Sequence, residues 1–157
     1  MAYVHLKKTA PEGVQASATG VLENRTEERF QADGTICLIL DHEGDYPRLI
    51  GGIGMGAVEG GHEFGYWLTP SAWGRGYATE AGRAMVAAAR HTLGLRRLKA
   101  GHFVDNPASG RVLTKLGFRP TGTITPRASL ARGGETPCVD LVLDLAEEDC
   151  RMDRLAA

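Results

Sequence analysis

The chain has 157 residues, 43% hydrophobic and 24% charged, which suits one domain with its own apolar core and an ordinary soluble composition. Eighteen Lys and Arg stand against nineteen Asp and Glu, so the formal net charge of −1 lacks the basic excess of a nucleic-acid binder. Cys37, Cys138 and Cys150 form no CxxC pair, which argues against a disulfide framework or a zinc site, and no apolar run reaches the roughly 20 residues of a membrane span.

The opening Met-Ala-Tyr-Val-His-Leu-Lys-Lys lacks the apolar stretch of a signal peptide, so a cytoplasmic location with reduced thiols is expected. Residues 1–10 read as a short extended start. Residues 12–32, with Val14, Leu22 and Phe30 on a polar background, read as a helix that Gly13 and Gly20 weaken. Thr35 to Leu40 is a short continuous apolar run, a strand expected to be buried on both faces. A turn over Asp41–Pro47 leads to a second strand from Leu49 to Ala57, antiparallel to the first, where Ile53, Met55 and Ala57 alternate with glycines. After Glu59-Gly60-Gly61, a third strand from His62 to Leu68 carries Phe64, Tyr66 and Trp67.

The period then changes. Ala78, Ala81, Met85 and Ala88 make a helical stripe that runs to about Leu93 and is closed by Gly94. Leu98 to Val104 alternates as a strand. Asn106 as N-cap and Pro107 in the first turn open a further helix, whose apolar face is Val112, Leu113 and Leu116 and which Gly117 ends. A short strand follows. Thr125–Pro137 reads as a loop, by its glycines, arginines and prolines, and Val139 to Leu145 as the last strand. The order predicts a mixed α/β or α+β sheet protein in a single domain over 1–157.

Chemistry concentrates between Gly65 and Ala81. A strand ends at Leu68, a loop holds Arg75 between Gly74 and Gly76, and a helix begins at about Tyr77. The first turn of a helix offers backbone N–H groups and partial positive charge, and glycine lets a ligand approach the backbone closely. The turn therefore fits a phosphate or pyrophosphate. Taken alone it fits a tight structural turn equally well. It is neither a Walker loop, since no Gly-Lys-Ser/Thr follows, nor a dinucleotide fingerprint, since no third glycine follows Gly76.

The wider constellation is more specific. Tyr66-Trp67-Leu68, then Trp73-Gly74-Arg75-Gly76-Tyr77-Ala78-Thr79-Glu80-Ala81, then Asn106-Pro107-Ala108-Ser109, then Lys115-Leu116-Gly117-Phe118 resembles the GNAT superfamily of N-acetyltransferases, in its RimJ/RimL-like branch. Arg132-Gly133-Gly134-Glu135 also looks like that branch, and the resemblance covers residues 35 to 145. It implies the GNAT fold, a central mixed sheet that splays open after the strand ending near Leu68, with acetyl-CoA in the cleft and no metal. The family signature Gln/Arg-x-x-Gly-x-Gly/Ala falls on Trp73 to Ala78, with Trp73 in place of the usual first residue. The resemblance implies that backbone N–H groups from Gly74 through Arg75, Gly76 and Tyr77 to Ala78 hold the pyrophosphate. It also implies that the backbone near Leu68 pairs with the pantetheine arm, that Asn106 contacts coenzyme A and that Lys115 lies near its adenosine phosphate. Only 34 residues precede Thr35, so the family's N-terminal strand and helix are expected in abbreviated form.

Direct attack of a neutral amine on a thioester needs an amine that sheds a proton and a proton donor for the leaving thiolate. The resemblance implies Ser109 as that donor; its plainer role is a first-turn serine bonded to backbone. Alternation places Glu63 with Gly65 and Trp67 on one strand face, where its carboxylate could take the amine proton; its plainer role is a solvated glutamate. Glu80 suits the helix dipole. His62 and His102 are both tempting bases, but His102 shares a face with Leu98, Ala100 and Val104 and reads rather as a satisfied core or interface histidine. Arg127 and Arg132 could touch an acidic substrate, although most arginines are solvated. The expected function is acetyl transfer from acetyl-CoA to a primary amine, on a protein N-terminus or a small molecule, by a chain that could dimerise. The alternatives are a non-catalytic acyl-CoA-binding module and a nucleotide-binding domain.

Overall fold

The structure is a computed structural model, and it describes residues 2–7, 34–41 and 46–146. Seven strands and two helices make up these residues. The strands are β1 (Ala2–Lys7), β2 (Thr35–Asp41), β3 (Arg48–Val58), β4 (Gly61–Leu68), β5 (Arg97–Phe103), β6 (Arg119–Ser129) and β7 (Gly134–Asp144). The helices are α1 (Tyr77–His91) and α2 (Pro107–Lys115). One sheet runs in the order β1-β2-β3-β4-β5-β7-β6, the mixed α/β architecture expected.

The chain opens on a short strand, six residues paired antiparallel with β2 along their length, Tyr3 opposite Leu40. The helix expected over 12–32 lies outside the described residues. β2 departs from the expectation of burial on both faces. Cys37 and Ile39 are buried while Leu38 is 44% exposed, so β2 alternates as a half-covered strand does. A continuous apolar run cannot distinguish the two cases, because an apolar residue on the open face carries no penalty large enough to exclude it.

The expected loop at Thr125–Pro137 is instead most of a hairpin. β6 and β7 are each eleven residues long and are joined by a 3-10 turn over Leu130–Arg132. The prolines that suggested a loop sit where a strand tolerates them. Pro126 lies on the sheet edge, and its register partner Pro137 lies just past the last β5 pair, Phe103 opposite Cys138. A register shift between Pro120 and Ile124 takes up the irregular stretch around Gly122.

Both helices contribute to one core with the sheet. α1 packs against β1, β3 and β4, and α2 against β5 and α1. The buried stripe of α1 is Ala78, Ala81, Gly82, Met85, Val86 and Ala89, one residue round from the expected Ala88. It meets Ile53, Met55, Phe64 and Leu98 of the sheet in the apolar cluster. α2 contributes Leu113 and closes on a left-handed Gly117 (φ +92°), with Phe118 N–H bonded to Leu113 O (3.0 Å) and Gly117 N–H to Thr114 O (3.0 Å). That reversal buries Phe118 beside Leu113 and against Phe64, ring centroids 5.4 Å apart.

The sheet is not continuous at its centre. β4 and β5 are parallel and pair only at His62 with Leu98 and Glu63 with Lys99. Beyond Glu63 the two strands part. The splay therefore begins five residues before β4 ends at Leu68, rather than after it.

Candidate active site

The turn between β4 and α1 is built as its glycines require. Gly74 has φ +72° and Gly76, the N-cap of α1, has φ +88° and ψ −10°. Both are left-handed, and among the described residues no atom beyond their chain neighbours lies within 4 Å of a Cβ placed on either. The conformation selects glycine, and the space beside it is open. Thr79 N–H and Glu80 N–H both return to Gly76 O, at 3.0 and 3.1 Å. The first turn of a helix carries partial positive charge and presents backbone N–H groups, which gives this end its anion affinity. Arg75, Gly76, Thr79, Glu80, Arg83 and Lys115 line a cavity of about 630 Å³ beside this turn. Lys115 is thus brought to the cradle from the far end of α2. Arg83 is a third cation there, and its place one turn after Thr79 on α1 could have signalled it.

The side chains of Arg75 and Trp73 both have partners within the protein. The guanidinium of Arg75 lies over the Tyr77 ring, 4.9 Å from its centroid, and 4.0 Å from the carboxylate of buried Asp41. Its charge is shared with the end of β2, where Arg48 also bonds Asp41 (3.1 Å). The Leu68 carbonyl accepts the indole N–H of Trp73 at 2.9 Å. Trp73, otherwise 64% exposed, therefore ties the start of the turn back to the end of β4.

Past the splay, β4 and α2 face each other. Asn106 caps α2, its side-chain oxygen accepting from Ser109 N–H (3.2 Å). Its amide N–H₂ makes no hydrogen bond among the described residues. The Ser109 hydroxyl makes none of the backbone bonds open to a first-turn serine. Its partner is the phenol of Tyr66, at 3.0 Å across the cleft. Burial raises the Tyr66 pKa above its ordinary value, and the bond to Ser109 works the other way. Alternation puts Tyr66 with Phe64 and Leu68 on the face of β4 opposite Glu63, and Phe64 on that face is buried. The usable signal was its hydroxyl, since a tyrosine turned inward needs a polar partner.

Glu63 sits at the vertex of the splay, on the opposite face of β4, and is not a solvated glutamate. Arg127 reaches it from β6, bonding Glu63 Oε1 through Nη1 and Asp140 Oδ1 through Nη2 (2.7 Å). Thr125 donates to the other oxygen of Asp140 (3.0 Å). Arg127 is 25% exposed and its two carboxylates 20% and 19%, so it is an organised cross-sheet cation rather than a solvated one. Burial lowers its pKa, and the bond to Asp140 and the charge of Glu63 more than restore it, leaving the guanidinium protonated throughout. Glu63 Oε2 has no hydrogen bond among the described residues.

Arg132 grips Asp105 with two bonds of 2.8 Å and stacks on Phe103 at 4.2 Å, fixing the β6–β7 turn to the loop before α2. His102 packs its ring against Gly110 of α2, with Nδ1 3.0 Å from the Phe103 carbonyl. Both are structural, as expected for His102. His62 lies at the other end of the β4–β5 pairing, away from the splay. Glu80 is exposed in the first turn of α1. Cys37 and Cys138 are buried, and Cys150 lies outside the described residues. Among the described residues no cluster of His, Cys, Asp and Glu could hold a metal ion, and no helix is long and apolar enough to cross a membrane.

Comparison with known proteins gives the same reading of the fold. A family model for an acetyltransferase (GNAT) domain matches residues 4–119. The uncharacterized N-acetyltransferase YoaA of Bacillus subtilis (strain 168) is 40% identical over 83 residues, which is 51% of this chain and 47% of the relative. The probable N-acetyltransferase YjcK of the same organism is 40% identical over 80 residues, 48% of this chain and 44% of the relative. The chain thus matches less than half the length of these curated relatives. Among solved structures, mutant forms of the spermidine/spermine N-acetyltransferase SpeG from Vibrio cholerae superpose with a TM-score of 0.65 at 16% identity, covering 83% of this chain and 76% of that one. The ribosomal-protein-S5-alanine acetyltransferase of Vibrio fischeri superposes with a TM-score of 0.64 at 18% identity, over 72% and 62%. At such identities the likeness is one of fold.

Proposed function

Because the chain belongs to the GNAT acetyltransferase family, whose domain model spans residues 4–119, we propose that it transfers an acetyl group from acetyl-CoA to a primary amine by direct attack. The observation that carries this is the splay. β4–β5 pairing stops at Glu63, and the left-handed turn at Gly74–Gly76 follows the free end of β4. The open space beside both glycines and the cations Arg83 and Lys115 suit a pyrophosphate and an adenosine phosphate. In this reading the backbone from Gly74 through Arg75 and Gly76 to Tyr77 and Ala78 holds the pyrophosphate. Trp73 braces the turn, the strand end at Leu68 and the spare amide of Asn106 lie along the pantetheine arm, and Lys115 meets the adenosine end.

The thioester supplies an activated acyl carbon. The residues supply proton management from opposite faces of the sheet, which communicate where β4 and β5 part. Ser109 gives its proton to the sulfur as the C–S bond breaks and its electron pair stays on sulfur. Glu63 Oε2, left open by Arg127 on Oε1, takes the proton that the amine sheds as the C–N bond forms, directly or through water. The branch is read as RimJ/RimL-like and the acceptor as a protein N-terminus or a small-molecule amine. One domain over 1–157, working in the cytoplasm as a monomer or homodimer, completes the reading.

Calorimetric titration of the chain with acetyl-CoA tests it first, followed by a thiol-release screen over an alanine-terminal peptide and spermidine. Micromolar binding with release of coenzyme A supports the assignment. Binding without turnover on any amine supports the non-catalytic acyl-CoA-binding alternative, and absence of binding removes the cradle.

A further inference from the structure

We propose that Tyr66 is the positioning residue of this centre: its phenol O–H donates to Ser109 Oγ and so directs the serine's own proton into the cleft. The inference rests on the reading of Ser109 as the thiolate's proton donor and deepens it.

Three observations carry it. First, the oxygens are 3.0 Å apart and belong to segments 43 residues distant, one on β4 past its last pair with β5 and one in the first turn of α2. The bond therefore spans the two walls of the splay. Second, the Ser109 backbone is already fixed. Its N–H goes to the cap oxygen of Asn106, and its hydroxyl makes no bond to backbone among the described residues. The common structural use of a first-turn serine is absent, and the hydroxyl is committed to Tyr66. Third, the direction of donation follows from acidity. A phenol is the stronger acid and the better donor, and an aliphatic hydroxyl the better acceptor. A hydroxyl has one hydrogen and two lone pairs. With one lone pair held by Tyr66, the remaining freedom of the serine hydrogen is rotation about a fixed oxygen, toward the opening.

Tyr66 keeps its proton throughout. As Ser109 releases its hydrogen to sulfur, negative charge grows on Oγ, and the hydrogen bond from the phenol strengthens with it. Ser109 then regains a proton from water and Glu63 returns the amine's proton to water, so the cycle closes with one proton moved from amine to thiol. Burial, which raises the Tyr66 pKa, keeps the phenol neutral and donating through the working pH range. The ring is steadied by Phe64, centroids 6.2 Å apart, which shares the same core face.

The test uses the full chain, coenzyme A as ligand, and the variants Tyr66→Phe, Ser109→Ala and their combination. The first readout is the apparent pKa of the bound coenzyme A thiol, followed by thiolate absorbance against pH. Each single variant is expected to raise it, Ser109→Ala at least as much as Tyr66→Phe, and the double variant no further than Ser109→Ala. The second is kcat on the alanine-terminal peptide or spermidine, whichever turns over. It is expected to fall about tenfold in Tyr66→Phe, the size of one lost neutral hydrogen bond, with KM for acetyl-CoA nearly unchanged. Additive shifts in the double variant would show that Tyr66 acts apart from Ser109 and would overturn the proposal. So would a shift in Ser109→Ala with none in Tyr66→Phe. No shift in either variant, with coenzyme A still bound, would overturn both this proposal and the role of Ser109. Failure of the unsubstituted chain to bind would overturn the acetyltransferase reading itself.

Discussion

Arg127 crosses the open face of the sheet directly over Gly101. A Cβ on Gly101 would lie 3.4 Å from the Arg127 guanidinium carbon and 2.7 Å from Cys138 Sγ. Gly101 sits on β5, between the strand that holds Glu63 and the strand that holds Asp140, so the missing side chain is what lets one guanidinium serve both carboxylates. Gly101→Ala is expected to destabilise by about 1–3 kcal/mol, the usual cost of forcing a methyl into occupied space. Chemical denaturation would measure it. Most of the loss should vanish in a Cys138→Ala background, because the sulfur is the nearer obstacle. Equal losses in both backgrounds would place the strain elsewhere.

Removing the cation itself is a different experiment. Arg127→Met keeps the aliphatic stem over the sheet and leaves two largely covered carboxylates facing each other. The cost lies between that of an exposed pair and a buried one, about 2 kcal/mol. Urea unfolding at neutral pH would read it. Turnover should also fall, since Glu63 loses the contact that sets its orientation. A variant as stable and as active as the parent would mean that the bridge organises nothing.

How much of this was legible beforehand differs between elements for physical reasons. α1 and α2 were visible because their ends carry side-chain and glycine chemistry: Asn106 at one cap, Gly117 at the other, and Gly76 at the start of α1. β6 was hidden because composition around Pro126 and Pro137 imitates a loop, and only pairing partners reveal that both prolines stand where no ladder N–H is asked of them. The cradle was legible as a local turn. The Tyr66–Ser109 and Glu63–Arg127 contacts join residues 43 and 64 positions apart, and no local period encodes such pairs. Each did leave a trace. An inward tyrosine must place its hydroxyl, and an arginine on a strand opposite a β5 glycine has a surface to lie on.

The cradle yields a prediction with its own control. Gly76→Val places a branched side chain in the space reserved for the ligand and at φ +88°, so affinity for coenzyme A should fall by at least about tenfold. The backbone strain, about 1–2 kcal/mol, lowers the melting temperature as well. Gly133→Val carries similar strain, at φ +73° with no atom within 4 Å of its Cβ, but stands on the β6–β7 turn. It should lose stability and keep its affinity for coenzyme A. Calorimetry and thermal unfolding on both variants separate the two effects, and unchanged binding in Gly76→Val would remove the pyrophosphate assignment.

The last prediction concerns acid. The hydrogen bonds from Arg132 hold the Asp105 carboxyl below its ordinary pKa, with the Arg132 charge acting in the same direction. The carboxyl is therefore more acidic in the folded chain than in the unfolded one, and the unfolded chain binds the proton first as pH falls. The contribution of the pair is fully present above the unfolded value, near 3.9, and is lost as pH falls through the lower folded value. Asp105→Asn should accordingly melt below the parent at neutral pH, and the gap should close as pH drops below about 4. Salt should narrow it at neutral pH, since both groups are solvent-exposed. The same carboxylate precedes the N-cap of α2, where a negative charge favours the helix, and this effect titrates with the same sign. Thermal unfolding of the two proteins across pH 3 to 7 would decide. A gap that held constant down to the acid end would mean that Asp105 stabilises through shape and hydrogen bonding alone, and that its charge is irrelevant to how the hairpin tip is fixed.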